Sequence, residues 1–397
     1  MVPFSIGAVR TATAACAAVA LSSFGFMDAN PSLFCYHQLL EASSSLKQRC
    51  YQSHFANKTV WIIGASSGIG EQLAYQIYPY CQKLILTSRR IDGLQRVANK
   101  CTQTKSQQDD SLRKIVLLPM DVTCTPEKLE EVMTKQFASE LSSSSHQTLA
   151  TSTQRLPPKL DCVIFNAGQG HLSTVLETDA ATTKRMFEVN TIPPIIMTQI
   201  LIKHGFIAPP GSQSSSKPQI VITSSVGGRM GVPLSASYAA SKHALHGYVA
   251  SLQAECSSWL RVDMICPGST ETAFFQNQYS NDSPGGCDGD GGDDNQQKPS
   301  KPSPLKMPVD RFAALSMTHI CRNSQSSTES GSEAWIAQQP TLLGCYMQQY
   351  LPGLWKYCLN RSVGPKRLSL YEQGLDLYDP ANWTGKNTEA RSRKSDK

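Results

Sequence analysis

Several kinds of chemistry lack their usual signatures in this chain. Its 13 cysteines and 8 histidines include no C-x-x-C pair and no H-E-x-x-H run. A metal site of zinc type therefore has little support, and the odd thiol count does not suit a fully paired disulfide scaffold. Charge is scarce too: Asp, Glu, Lys and Arg make up 17% of the residues, and the net +6 is diffuse apart from a basic C-terminal tail. That is no footprint for nucleic acid. No apolar run reaches a confident membrane span, since the charge-free stretch Thr11–Met27 is bounded by Arg10 and Asp28.

What the chain does have is 40% hydrophobic residues over 397 positions, enough for a full core. The Ala-rich, acid-free start admits a membrane anchor or uncleaved signal, an organellar transit peptide, or an ordinary extension. Residues 1–50 are accordingly expected to form a targeting or anchoring segment. From residue 58 on, short Val- and Ile-rich runs alternate with stretches of helical periodicity. The runs are Thr59–Ile63, Leu84–Thr87, Ile115–Leu118, Cys162–Phe165, Ile220–Thr223, Val262–Ile265 and Ala334–Ala337. Continuous apolar strands between helices predict a parallel sheet covered on both faces. The expected fold is α/β: a Rossmann-type, doubly wound, seven-stranded parallel sheet in a single domain over residues 58–340. Polar stretches without periodicity at 142–158, 209–217 and 281–304 read as disordered insertions, and residues 341–397 as an amphipathic helical extension with a basic tail.

The first strand runs into Gly64-Ala65-Ser66-Ser67-Gly68-Ile69-Gly70 and then a helix. Glycines at such a turn let the backbone bend sharply and approach a pyrophosphate, whose charge is favoured by the exposed N–H groups of the helix start. The G-x-x-x-G-x-G spacing resembles that of the short-chain dehydrogenase/reductase superfamily, with Ile63 where that family usually carries Thr. After the second strand comes Ser88-Arg89-Arg90. An acid at the Ser88 position would hold a ribose 2′-hydroxyl, whereas Arg89 accommodates a 2′-phosphate, so NADP(H) is the expected cofactor. Asp121-Val122 resembles the adenine-contacting Asp of the family. Asn166-Ala167-Gly168 resembles its N-A-G element, with Phe165 in place of the usual first Asn.

Tyr238 and Lys242 lie four residues apart on one predicted helix and so share a face. An ammonium beside a phenol stabilises phenolate and is expected to lower the Tyr pKa from about 10 toward neutrality, suiting the phenol to proton transfer. Ser225 closes the fifth strand 13 residues earlier, since 238 − 225 = 13, and that spacing favours it over Ser224.

The resemblance adds roles to these residues. It implies that Ser225 and Tyr238 hold the substrate oxygen, Tyr238 gives the proton, Lys242 holds the ribose and depresses the Tyr pKa, and Asn190 positions a water linking Lys242 to solvent. It also assigns the cofactor cradle to Gly64, Ser66, Ser67, Gly68, Ile69 and Gly70, and the turn at the nicotinamide to Pro267, Gly268, Thr270 and Thr272. The runs Val232-Pro233-Leu234, Ala240–Leu245 and Glu333–Pro340 narrow the likeness to the 11β-hydroxysteroid dehydrogenase-like branch. That branch implies hydride transfer between NADP(H) and a small lipophilic carbonyl or alcohol such as a steroid or retinoid, at the endoplasmic reticulum membrane, with organelle import as the alternative. A homodimer is implied by the resemblance only. The rival readings are a 3-ketosphinganine-type reductase and a catalytically silent NADP-binding protein at a membrane. The aromatic band Tyr346–Tyr357 suits a membrane interface, packing on the domain, or a subunit contact equally.

Overall fold

Along Val60-Trp61-Ile62-Ile63 the pleat sends alternate side chains to opposite faces, and all four are buried. Trp61 and Ile63 pack with Met197, Leu201, Leu245 and Val249, while Val60 and Ile62 pack with Leu73, Ile77 and Phe312. A strand that is apolar on both sides needs helices on both sides. The computed structural model, which describes residues 24–103, 114–142, 160–207, 217–275, 303–322 and 331–384, supplies them.

The strands are β1 (Thr59–Ile63), β2 (Lys83–Ser88), β3 (Lys114–Pro119), β4 (Cys162–Phe165), β5 (Gln219–Thr223), β6 (Arg261–Pro267) and β7 (Glu333–Ile336). All pair in parallel, in the order β3-β2-β1-β4-β5-β6-β7. The expected sheet is therefore present. Two helices precede it, α1 (Pro31–Glu41) and α2 (Ser44–Phe55). Between strands lie α3 (Gly68–Ile77), α4 (Ile91–Gln103), α5 (Pro126–Ser142), α6 (Ala180–Asn190), α7 (Ile192–Lys203), α8 (Ala236–Cys256) and α9 (Val309–Arg322). Beyond β7 come α10 (Thr341–Tyr350), α11 (Pro352–Cys358), α12 (Gly364–Glu372) and α13 (Pro380–Trp383). The winding reverses where β1 meets β4, and this opens a crevice at the carboxyl ends of the strands.

Within residues 1–50, read from sequence as a targeting or anchoring segment, the described Met27, Ala29, Leu33 and Leu40 are buried in the body of the domain. Asn30 donates its N–H to the Trp335 carbonyl at 3.0 Å, Ala337 donates to Asp28 at 3.0 Å, and Arg311 holds the Asp28 carboxylate at 2.8 Å. This short antiparallel pairing covers the edge strand β7, whose free backbone groups would otherwise be exposed. Asp28, read from sequence as the end of an apolar stretch, is thus a tether. The anchor or transit reading of residues 1–23, most of each polar insertion and the basic tail from residue 385 lie outside the described residues. Among the described residues no helix is long and apolar enough to cross a membrane.

Candidate active site

The site begins where β1 ends. Gly64 has φ +87°, and a Cβ there would lie 2.5 Å from the Ala167 nitrogen; Gly68 has φ +59°. Both positions need the left-handed region that glycine enters without steric cost. Asn166 donates from Nδ2 to the Gly64 carbonyl at 3.0 Å, which joins the N-A-G element to the glycine turn. Helix α3 starts at Gly68 with no side-chain cap, so its first N–H groups are available to a ligand. Gly70 has a different place from the one expected. It lies beneath the turn, where a Cβ would stand 2.1 Å from the Gly64 carbonyl oxygen, so it permits close packing and is not part of the cleft wall. Arg96 braces the turn from α4, donating to the Ser66 carbonyl at 2.8 Å and to Glu71 at 2.6 Å. Sequence reading missed this residue.

The remaining dinucleotide candidates line one continuous cleft of about 750 Å³. Ser66, Ser67 and Ile69 sit at the turn, Ser88 and Arg89 after β2, Asp121 and Val122 after β3, and Ala167 and Gly168 after β4. Arg89 is exposed to the cleft, while Ser88 is occupied with the Arg90 carbonyl at 3.0 Å. The Asp121 carboxylate accepts from the N–H and hydroxyl of Thr123 and so shapes its own turn. Across the cleft, Pro267 and Gly268 extend β6, and the Gly268 N–H bonds to the Ile336 carbonyl at 2.8 Å. Thr270 and Thr272 follow, and Thr272 reaches over to within 3.3 Å of where a Cβ on Gly68 would be.

Ser225, Tyr238, Lys242 and Asn190 converge from β5, α8 and α6. The hydroxyl of Ser225 donates to the Pro267 carbonyl at 3.4 Å and its oxygen accepts the Gly227 N–H at 3.0 Å, while both Ser225 and the Tyr238 phenol line the cleft. Ser224 faces the other way, its hydroxyl 3.0 Å from His246 Nε2. Lys242 Nζ donates to the Thr223 carbonyl at 3.1 Å and stands 6.0 Å from the centroid of the Tyr238 ring. The shared helix face is as expected, but the protonation balance is not. Burial pushes the Tyr238 phenol up to about 12 despite the Ser225 hydroxyl, and burial brings Lys242 down to about 8. Removing water from both groups outweighs their proximity, because each loses the solvation of its charged form. Asn190 is fully buried. Its Oδ1 accepts the Gln169 N–H at 2.8 Å and its Nδ2 donates to the Gln169 carbonyl at 3.0 Å and to Ser241 Oγ at 3.1 Å. It locks the loop after β4 to helix α8.

A second polar group braces Ser225 from behind. Arg229, at the end of the turn following Ser225, forms a bidentate pair with Glu333 at the start of β7. Burial would raise the Glu333 carboxyl, but hydrogen bonds from Arg229 and His246 hold it well below the usual carboxylate range. His246, Cys266 and Glu333 place potential ligand atoms within 4.8 Å of one another. Since Arg229 engages both Glu333 oxygens, this cluster works as an ion-pair network.

The outer wall comes from the C-terminal segment. Leu370 and Leu377 form a small core with Leu234, with Leu172, Tyr378 and Trp383 packed against it. This holds α12 and the following residues over the cleft, where Trp355, Leu359, Val363 and Tyr378 face Phe274 and Tyr238. The Phe274 ring lies 6.1 Å from that of Tyr238. The aromatic band thus divides: Cys345 is buried and Trp355 packs against Gly344, while Tyr350 and Tyr357 are 70% and 63% exposed.

The pattern of the short chain dehydrogenase family matches residues 58–283. The chain belongs to that family. Among the relatives of this short-chain dehydrogenase, human dehydrogenase/reductase SDR family member 7 is 28% identical over 319 residues, covering 80% of each chain. Dehydrogenase/reductase SDR family member 7B of Xenopus tropicalis is 25% identical over 233 residues, 58% of this chain and 66% of the relative. In fold the chain is similar to a short-chain dehydrogenase/reductase from Mycobacterium marinum (TM-score 0.52, 18% identity, 72% of this chain and 96% of that one). It is also similar to an alcohol dehydrogenase from Thermococcus sibiricus complexed with 5-hydroxy-NADP (TM-score 0.51, 20% identity, 71% and 97%). As a short-chain dehydrogenase the protein is an oxidoreductase, and its residues fit a nicotinamide dinucleotide. The two left-handed glycines and the uncapped start of α3 make a turn whose free N–H groups suit a pyrophosphate, and a Cβ at Gly64 would push it off the Ala167 backbone.

Proposed function

We propose that the chain is an NADP(H)-dependent oxidoreductase that interconverts a carbonyl and an alcohol on a lipophilic substrate. The observation that carries this reading is the convergence of Ser225, Tyr238 and Lys242 on one cleft whose wall also includes the glycine turn and apolar side chains of the C-terminal segment. Arg89 at the end of β2 supports the choice of NADP(H), as does the cofactor analogue named for the Thermococcus structure.

When bound, the nicotinamide donates or accepts the hydride. The protein's own residues manage the oxygen and its proton. Ser225 and Tyr238 both line the cleft, and a substrate oxygen placed between their hydroxyls would be held by two hydrogen bonds. With its pKa near 12, Tyr238 is a neutral phenol at pH 7, and in the reductive direction it gives its proton to that oxygen. Phenolate left behind is favoured by the Lys242 ammonium, buried in the same low-dielectric floor. Asn190 keeps the loop carrying Gly168 at its distance from Lys242. Replacing Tyr238 by Phe removes the proton donor, and turnover is expected to fall about 10²–10⁴-fold with NADPH binding retained. Equal rates in the two proteins would end this reading.

A lipophilic substrate goes with a membrane-facing side. Tyr350, Leu351, Leu354 and Tyr357 are exposed on α10 and α11 beside the cleft, and exposed Lys356 and Arg361 suit anionic headgroups. Co-sedimentation with phosphatidylserine vesicles, weakened by Leu354→Glu with Tyr357→Glu, is the expected behaviour; binding that ignores both substitutions counts against it.

A further inference from the structure

The cleft carries a positive group that the hydride chemistry does not use. Arg367, on α12, lines the cleft and is half-buried there. It donates from Nε to the Pro233 carbonyl at 3.1 Å, which fixes the guanidinium against the loop leading to Tyr238. Its carbon Cζ lies 5.7 Å from the centre of the Tyr378 ring. Lys306, only 8% exposed and not part of the cleft lining, places its Nζ 4.8 Å from the same ring. Among the described residues neither side chain has a carboxylate partner.

This arrangement is unusual for its setting. A guanidinium has five N–H donors in a rigid fork, and one is used on Pro233. The others belong to a group held in place by α12, whose Leu370 sits in the small core with Leu234 and Leu377. A fixed, half-buried fork on an apolar wall is suited to one ligand chemistry, an oxyanion accepting two parallel hydrogen bonds. The apolar surroundings strengthen such a contact relative to open water. Tyr378, whose ring Arg367 faces, lines the same cleft as Ser225 and Tyr238. One cleft therefore holds the carbonyl-handling hydroxyls, the apolar side chains of Trp355, Leu359 and Val363, and a cation.

We propose that the substrate is an amphiphile whose carbonyl or alcohol lies at Ser225 and Tyr238 and whose carboxylate, or equivalent oxyanion, lies on Arg367. The inference rests on the reading of the cleft as a carbonyl–alcohol site and selects within it. The preferred substrate is an oxo-acid or hydroxy-acid with a long apolar body, and a neutral compound of equal bulk is the poorer one.

Two measurements on the full chain separate this inference from the reading beneath it. The first is binding without turnover: tryptophan fluorescence, reported by Trp355 and Trp383 at the cleft, is titrated with decanoate and with methyl decanoate. The second is turnover of ω-oxodecanoic acid and its methyl ester with NADPH. The acid form is expected to bind, and to show a lower KM, by about tenfold or more, as a charge-assisted bidentate contact allows. In Arg367→Met the acid-to-ester ratio should collapse toward one, and Arg367→Lys should recover part of it. Equal affinity for decanoate and its ester in the wild-type protein overturns the inference. So does an Arg367→Met protein in which both ligands weaken alike, because the arginine would then only staple α12 to Pro233. If decanoate is discriminated through Arg367 but neither aldehyde is reduced, the anion site stands and the reductase reading falls.

Discussion

Lys242 Nζ stands 6.0 Å from the centre of the Tyr238 ring and gives a hydrogen bond to the Thr223 carbonyl at 3.1 Å. Burial acts on the two groups in opposite directions, bringing the amine down to about 8 and the phenol up to about 12. Tyr238 accordingly keeps its proton throughout the neutral range, and Lys242 is the group that titrates within reach of experiment. Its charged form predominates below about 8, so kcat/KM for reduction should be level there and decline as pH rises through that value. Lys242→Arg should move this limb beyond the accessible range, because guanidinium does not deprotonate there. A wild-type profile that stays level well above pH 8 would show that the Lys242 charge does not matter to the step.

The glycine turn makes a steric prediction. A methyl group at Gly70 would fall 2.1 Å from the Gly64 carbonyl oxygen and 2.8 Å from Asn166 Nδ2, which are hydrogen-bonded to each other. Gly70→Ala should therefore displace the turn and abolish the fluorescence enhancement of NADPH on binding. Gly247 lies in α8 with nothing within 4 Å of its Cβ position. Gly247→Ala should stabilise the protein by about 0.8–1.0 kcal/mol in urea unfolding, the ordinary helix propensity gain. NADPH binding that survives Gly70→Ala would mean the turn can shift without loss.

Cofactor choice depends on Arg89 in the proposed reading. It is exposed at the mouth of the dinucleotide cleft, and no ion pair occupies it among the described residues. Losing one charge-assisted contact, about 1.5–3 kcal/mol, should weaken NADPH binding by about 10- to 100-fold in Arg89→Ala. NADH affinity should not change, since NADH has no 2′-phosphate. Parallel losses for both cofactors in a fluorescence titration would place the 2′-phosphate elsewhere.

Acid should weaken the fold through three buried histidines. Burial lowers His37 to about 4, His54 well below its ordinary 6.5, and His319 in the same direction. They sit on or beside α9, with His37 on Thr318 at 2.7 Å and His54 on Gln219 at 3.0 Å. Each takes up a proton more readily unfolded than folded. Stability is therefore full above about pH 6.5 and falls as pH drops toward about 4. The urea midpoint should shift downward between pH 7 and pH 5, and His37→Gln should flatten part of that slope. A midpoint constant over this interval would contradict the burial of these rings.

Much of the chain was readable without coordinates. The seven strands stand within two residues of their expected limits, because a strand buried on both faces leaves an unbroken apolar run that is visible locally. The glycine turn, and Tyr238 and Lys242 on one face of α8, were readable for the same reason, since each is a spacing within a few residues. Arg229 and Glu333 are 104 positions apart in sequence, and nothing in the neighbourhood of either announces the other. Arg96 on Ser66 and Asp28 on Arg311 share that property.

What the order of amino acids determined by itself was the sheet, its winding, and which residue types stand at the carboxyl ends of the strands, all consequences of short-range periodicity and backbone sterics. The tertiary structure alone decided how much water those residues keep. It buried Tyr238 and Lys242 so that the charged form of each is disfavoured relative to water, folded the N-terminal helices onto α9, and laid α12 across the cleft with Arg367 on its wall. Desolvation depends on every neighbour at once, including those hundreds of positions away, and no local spacing encodes it.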